Sequence, residues 1–79
     1  MKVPRDVDAS ELINLLTRYG YHVIRQTGSH IRLSKTTEES EHSITVPNHK
    51  PLKIGTLQAI AKDVCTVNNI DLAEFYLQF

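Results

Sequence analysis

The chain has one cysteine, Cys65, so no disulfide can close within it. That argues against a small secreted scaffold held by cross-links. It has no tryptophan, three prolines and three glycines, which excludes collagen-like and low-complexity classes. No Cys-x-x-Cys or His-x-x-x-His pair occurs, so zinc-site spacing is missing and no metal is expected. No apolar run is long enough to cross a membrane, and Met1 to Asp6 lacks the apolar core of a signal peptide. The expected setting is the cytoplasm.

Charge of either sign is not in excess. Nine Lys and Arg cancel nine Asp and Glu. A nucleic-acid partner usually demands a basic surface, so the distribution matters more than the sum. Tyr21 to Lys53 holds Arg25, Arg32, Lys35, Lys50 and Lys53, and its acids, Glu38, Glu39 and Glu41, are grouped in one loop. Asp8, Glu11, Asp71 and Glu74 stand where helices would start, a place that favours negative charge for structural reasons. The middle of the chain can therefore carry a basic face at zero net charge.

What is present suffices for one small domain over residues 1–79, since 41% of them are hydrophobic. Met1 to Val7 reads as an extended lead-in, because Pro4 disfavours a helix. Asp8-Ala9-Ser10-Glu11 is a capping-box pattern, followed by Leu12, Ile13, Leu15, Leu16 and Tyr19 at helical spacing, with Gly20 as the stop. Tyr21–Gln26, His30–Lys35 and His42–Pro47 read as strands. For the first strand, Tyr21 with Val23 and Ile24 compete for the buried face. Thr27-Gly28-Ser29 is a tight turn, and Thr36 to Glu41 is a polar hairpin loop. A second helix is expected from about Lys53 to Val64, with Ile54, Leu57, Ile60, Ala61 and Val64 as its stripe. Gly55 sits oddly early in it, as a close backbone approach to sheet or ligand would explain. Thr66 to Ile70 reads as a connector. Asp71-Leu72-Ala73-Glu74 repeats the capping-box pattern before a short last helix ending at Phe79.

The order α-β-β-β-α, with a small helix added, belongs to the α+β class. Two helices can cover one face of a three-stranded antiparallel sheet and leave the other wet. Double-stranded-RNA-binding domains share this layout. Alternation along the second strand sends Ile31 and Leu33 inward and leaves His30, Arg32 and Ser34 on the open face. An imidazole that titrates near neutrality, two residues from a guanidinium, suits an anionic substrate. Cys65 reads as a packing residue, and Ser29 as a turn hydrogen bond or a phosphate contact.

Several segments resemble one family. Arg25-Gln26-Thr27-Gly28-Ser29-His30 is similar to the signature of HicA-type toxins, the mRNA interferases of bacterial toxin–antitoxin modules. Val46-Pro47-Asn48-His49, Ile54-Gly55-Thr56-Leu57-Gln58-Ala59-Ile60 and the helix exit at Leu15, Gly20 and Tyr21 resemble further family segments, in the same order. The resemblance implies a double-stranded-RNA-binding-like fold and metal-independent cleavage of mRNA without a cofactor. It implies a catalytic histidine at His30 and a HicB-type antitoxin that covers the site. Arg25, Ser29, Arg32, Lys35, His49, Lys50 and Lys53 are the residues expected to hold RNA, with His49 or Lys50 as the second acid/base group. The alternative is a non-catalytic module of the same fold that binds RNA or only its antitoxin. His22 and His42 lie outside the matched segments, and their alanine variants are expected to stay toxic.

Overall fold

A computed structural model describes residues 2–79, leaving Met1 outside the described residues. Helix α1 spans Ala9–Arg18, strands β1, β2 and β3 span His22–Thr27, His30–Thr36 and Glu41–Pro47, helix α2 spans Ile54–Asn68, and helix α3 spans Leu72–Tyr76. The three strands form one antiparallel sheet in the order β1-β2-β3. The helices lie on one side of it. Leu12, Leu15 and Leu16 of α1, Leu57, Ile60, Ala61 and Val64 of α2, and Phe75 of α3 are buried together with Ile31, Leu33, Ile44 and Val46 of the sheet.

Both ends of α1 follow from its sequence. The Asp8 amide donates to Glu11 Oε1 at 3.2 Å, the return bond of the expected capping box. At the other end Gly20 has φ 97°, the Tyr21 amide donates to Leu16 O at 3.1 Å and the Gly20 amide to Thr17 O at 3.1 Å. These two bonds make a Schellman motif, which turns the chain sharply into the sheet. Tyr21, delivered by that turn, is 1% exposed and belongs to the core.

Strand β1 resolves the competition between its faces by burying neither. All six of its residues are exposed, Val23 and Ile24 included. The pairing shifts between Val23 and Arg25, so Ile24 is the extra residue of a bulge on an edge strand. Tyr21, just before the strand, fills the inward position instead.

Helix α2 runs four residues beyond the expected Val64. Cys65 is buried, Asn68 Nδ2 donates to Val64 O at 2.9 Å, and Asn69 stops the helix in the left-handed region at φ 55°. Asn tolerates that region well, so the stop needs no glycine. Gly55 is exposed, and nothing lies within 4 Å of the place a Cβ would take, so no protein backbone approaches it. Helix α3 starts at Asp71 as expected, but the Asp71 side chain makes no cap and the helix stops at Tyr76, before Phe79. Backbone bonds alone, such as the Phe75 amide to Asp71 O at 3.0 Å, close its first turn.

Candidate nucleic-acid interface

The site is built on the uncovered face of the sheet. Facing residues in an antiparallel ladder share a face, so the register fixes what stands there. At one end Thr27, His30 and Pro47 form a row. Arg25, Arg32 and Thr45 form the next, and His22, Ser34 and Ser43 the one after. His30, Arg25 and Arg32 are all exposed. Arg32 Nη1 donates to Thr45 Oγ1 at 3.1 Å, which leans its guanidinium over β3.

The tight turn before β2 positions His30. Gly28 takes φ 58°, a region costly for residues with a Cβ, and the next residue but one is His30, first of its strand. The same turn gathers a second segment. The Asn48 amide donates to Ser29 O at 2.6 Å, which holds the loop after β3 against the turn before β2. His49 and Lys50, both exposed, follow on that loop. The loop is tied in turn to the start of the chain, since the Ala9 amide donates to His49 O at 3.1 Å and the Leu52 amide to Val7 O at 2.8 Å. Thus the loop of His49 and Lys50 lies beside the turn of Ser29 and His30 at one end of the sheet, with Arg25 and Arg32 one row inward. Lys53 is exposed at the N-cap of α2.

Lys35 does not join them. It has the parity of Ile31 and Leu33, so alternation turns it to the helix side at the opposite end of β2. Its Nζ donates to Asn68 Oδ1 at 2.6 Å and lies 5.9 Å from the centre of the Tyr21 ring. A lysine spent on these contacts is not placed to hold RNA on the open face.

Lys35 opens a polar chain that sequence reasoning missed. Asn68 Nδ2 donates to the Tyr21 hydroxyl at 2.9 Å, that hydroxyl is 2.5 Å from His42 Nδ1, and His42 Nε2 is 3.1 Å from Asp63 Oδ2. One ordering of protons satisfies every group. Lys35 donates to Asn68, Asn68 to Tyr21, Tyr21 to His42 Nδ1, and His42 Nε2–H to Asp63. Burial raises the Tyr21 phenol above the ordinary tyrosine value, with Asp63 adding to the rise and the Asn68 bond opposing it. The signal in the sequence is parity: His42 falls on the face of Ile44 and Val46, where a polar residue needs partners. His42 is therefore a structural residue and a poor neutral control for His30.

Cys65 is buried, and burial pushes its thiol up, with Asp71 adding to the effect. That suits packing rather than nucleophilic attack. Among the described residues, no three His, Cys, Asp or Glu side chains come together as metal ligands. No helix among them is long and apolar enough to cross a membrane.

No curated protein and no solved structure matches the chain. The family model described as HicA toxin of bacterial toxin-antitoxin matches residues 9–64, which runs from the first residue of α1 through all three strands into α2. The chain thus belongs to the HicA toxin family and is the toxin half of a toxin–antitoxin module.

Proposed function

We propose that this toxin is an endoribonuclease that cleaves mRNA, with His30 as its catalytic residue. The observation that carries the reading is the placement of an exposed imidazole at the end of an uncovered sheet face, one row from two guanidiniums and beside the His49–Lys50 loop. RNA contains its own nucleophile, the 2′-hydroxyl, so a protein need only move protons and stabilise charge. The 2′-oxygen attacks the adjacent phosphorus and the bond to the 5′-oxygen breaks. A base takes the 2′-proton and an acid returns one to the leaving 5′-oxygen. The products are a 2′,3′-cyclic phosphate and a 5′-hydroxyl.

His30 serves as one of these two groups, and His49 or Lys50 as the other. Arg25 and Arg32 stabilise the charge that develops on the phosphoryl oxygens. Ser29, at the turn, offers a phosphate contact, and Lys53 extends the basic surface toward α2. The antitoxin of the module is of the HicB type and inactivates the toxin by covering this face.

The test uses purified protein and end-labelled RNA. Cleavage is expected to persist in EDTA, to leave cyclic-phosphate ends, and to fail on RNA whose 2′-hydroxyls are methylated. Loss of cleavage in chelator that magnesium or manganese restores would overturn the mechanism. RNA bound but never cut would instead make the protein a binding module of the same fold.

A further inference from the structure

Ser34 is the anomaly of the open face. Register places it there, between His22 on β1 and Ser43 on β3, four residues along β2 from His30. A residue in the middle of an uncovered face is expected to meet solvent, yet Ser34 is 4% exposed. Its Oγ has no hydrogen-bond partner among the described residues. A buried hydroxyl without a partner weakens a fold, and alanine would remove that cost at nearly the same size. A serine in this place calls for a partner from outside the chain.

We propose that Ser34 is a second phosphate-binding point for RNA, flanked by His22 and Ser43, so that the strand of RNA runs along β2 away from His30. The inference rests on the reading that this face binds RNA. The geometry gives the track its order. A phosphate at His30 comes first, the Arg25–Arg32 row lies next, and Ser34 follows at roughly 13 Å from His30, from the rise of an extended strand. A serine hydroxyl can donate to a phosphate oxygen, and His22 adds an exposed imidazole from the neighbouring strand. Arg25 and Arg32 are exposed one row away, Arg32 bonded to Thr45, and a phosphate reaches the buried hydroxyl only when the side chains above it move aside. The Ser34 hydroxyl makes no hydrogen bond within the fold and the His22 side chain is exposed, so their loss should weaken binding of long RNA alone.

Binding is read by fluorescence anisotropy with two fully 2′-O-methylated RNAs, a trinucleotide and a ten-nucleotide strand, which the proposed chemistry cannot cut. Ser34→Ala is expected to weaken the longer RNA about tenfold, the size of one hydrogen bond to a charged group. It should leave the trinucleotide unchanged, and the protein should melt at the wild-type temperature or above. His22→Ala should weaken the longer RNA in the same selective way. Equal binding of the ten-nucleotide strand by wild type and Ser34→Ala overturns the proposal. So does a Ser34→Ala protein that melts lower and loses both RNAs alike, for then the hydroxyl serves the fold. If the wild-type protein binds neither RNA, the reading of the face as an RNA surface fails, a result distinct from failure of the second point alone.

Discussion

The two ends of the sheet carry similar side chains and put them to opposite uses. At one end His30, His49, Lys50 and the nearby arginines are exposed and point away from the core. At the other, Lys35, Tyr21, His42, Asn68 and Asp63 are joined into a chain of hydrogen bonds that ties the sheet to α2. The difference comes from parity on two strands. His30 and Lys35 are five residues apart on β2 and so fall on opposite faces, and His42 faces inward with Ile44 and Val46. Residue type alone does not make a site; satisfied hydrogen bonds consume what free ones would offer.

This contrast is broken most sharply by two alanine variants. His30→Ala should lower RNA cleavage by ~10²–10⁴-fold, the usual loss for a general acid or base, and leave the melting temperature unchanged. His30 opposes Ile31 and Leu33 in parity, so truncating it opens no cavity. Transcript decay after induction and a thermal melt of the purified variant check both halves. A cleaving His30→Ala protein would show that the open end is not the catalytic one.

His42→Ala should do the reverse. It leaves the Tyr21 proton and Asp63 without their partner at a side chain only 17% exposed, a loss of ~1–3 kcal/mol. In a domain of this size that lowers the melting temperature by about 4–8 °C for each kcal/mol. Cleavage measured well below the melt should stay near wild type. An unchanged melt would mean that the chain of hydrogen bonds contributes nothing to the fold.

The two basic residues of β2 sharpen the comparison further. Arg32→Ala should flatten the salt dependence of RNA binding by about one unit of slope, as for one lost phosphate contact. Lys35→Ala should leave that slope alone and weaken the fold instead. Titrating binding against salt for both variants decides it: slopes flattened equally would place both side chains on the RNA face, and two unchanged slopes would place neither there.

The smallest effect lies at high pH. The Tyr21 and Tyr76 phenols are raised above the ordinary tyrosine value by burial, so the folded state keeps protons that the unfolded state has lost. Their stability contribution is complete below about pH 10, the unfolded value, and declines as pH rises from there through the folded values. Denaturant melts from pH 9 to 11 should fall more gently for Tyr21→Phe than for wild type. A parallel fall would assign the alkaline loss to other groups.

Much of this architecture is legible in the amino-acid sequence alone. The capping box at Asp8 and Glu11, the stop at Gly20 and the alternation of His30 to Ser34 are local signals, and local signals survive folding. Lys35 is readable by the same alternation, yet its charge pulls it into the basic set. Three features are not local. The end of α2 depends on Asn69 adopting the left-handed region and on Cys65 finding a core. The exposure of all of β1 depends on its lying at an edge with a bulge. The link from Lys35 to Asp63 spans β2, β3 and α2, and no periodicity within one segment encodes it.

The bulge at Ile24 bears on the life of the molecule at high concentration. A flat, apolar edge offers its unpaired amides and carbonyls to any copy that drifts past, and such contacts grow into aggregates. Val23 and Ile24 are apolar and about half exposed, so β1 has the composition of such an edge. The shifted pairing at Ile24 interrupts its regular spacing, and a bulge of this kind makes an edge a poorer template for a second copy. One irregular residue thus works against self-templating at an edge whose composition would favour it.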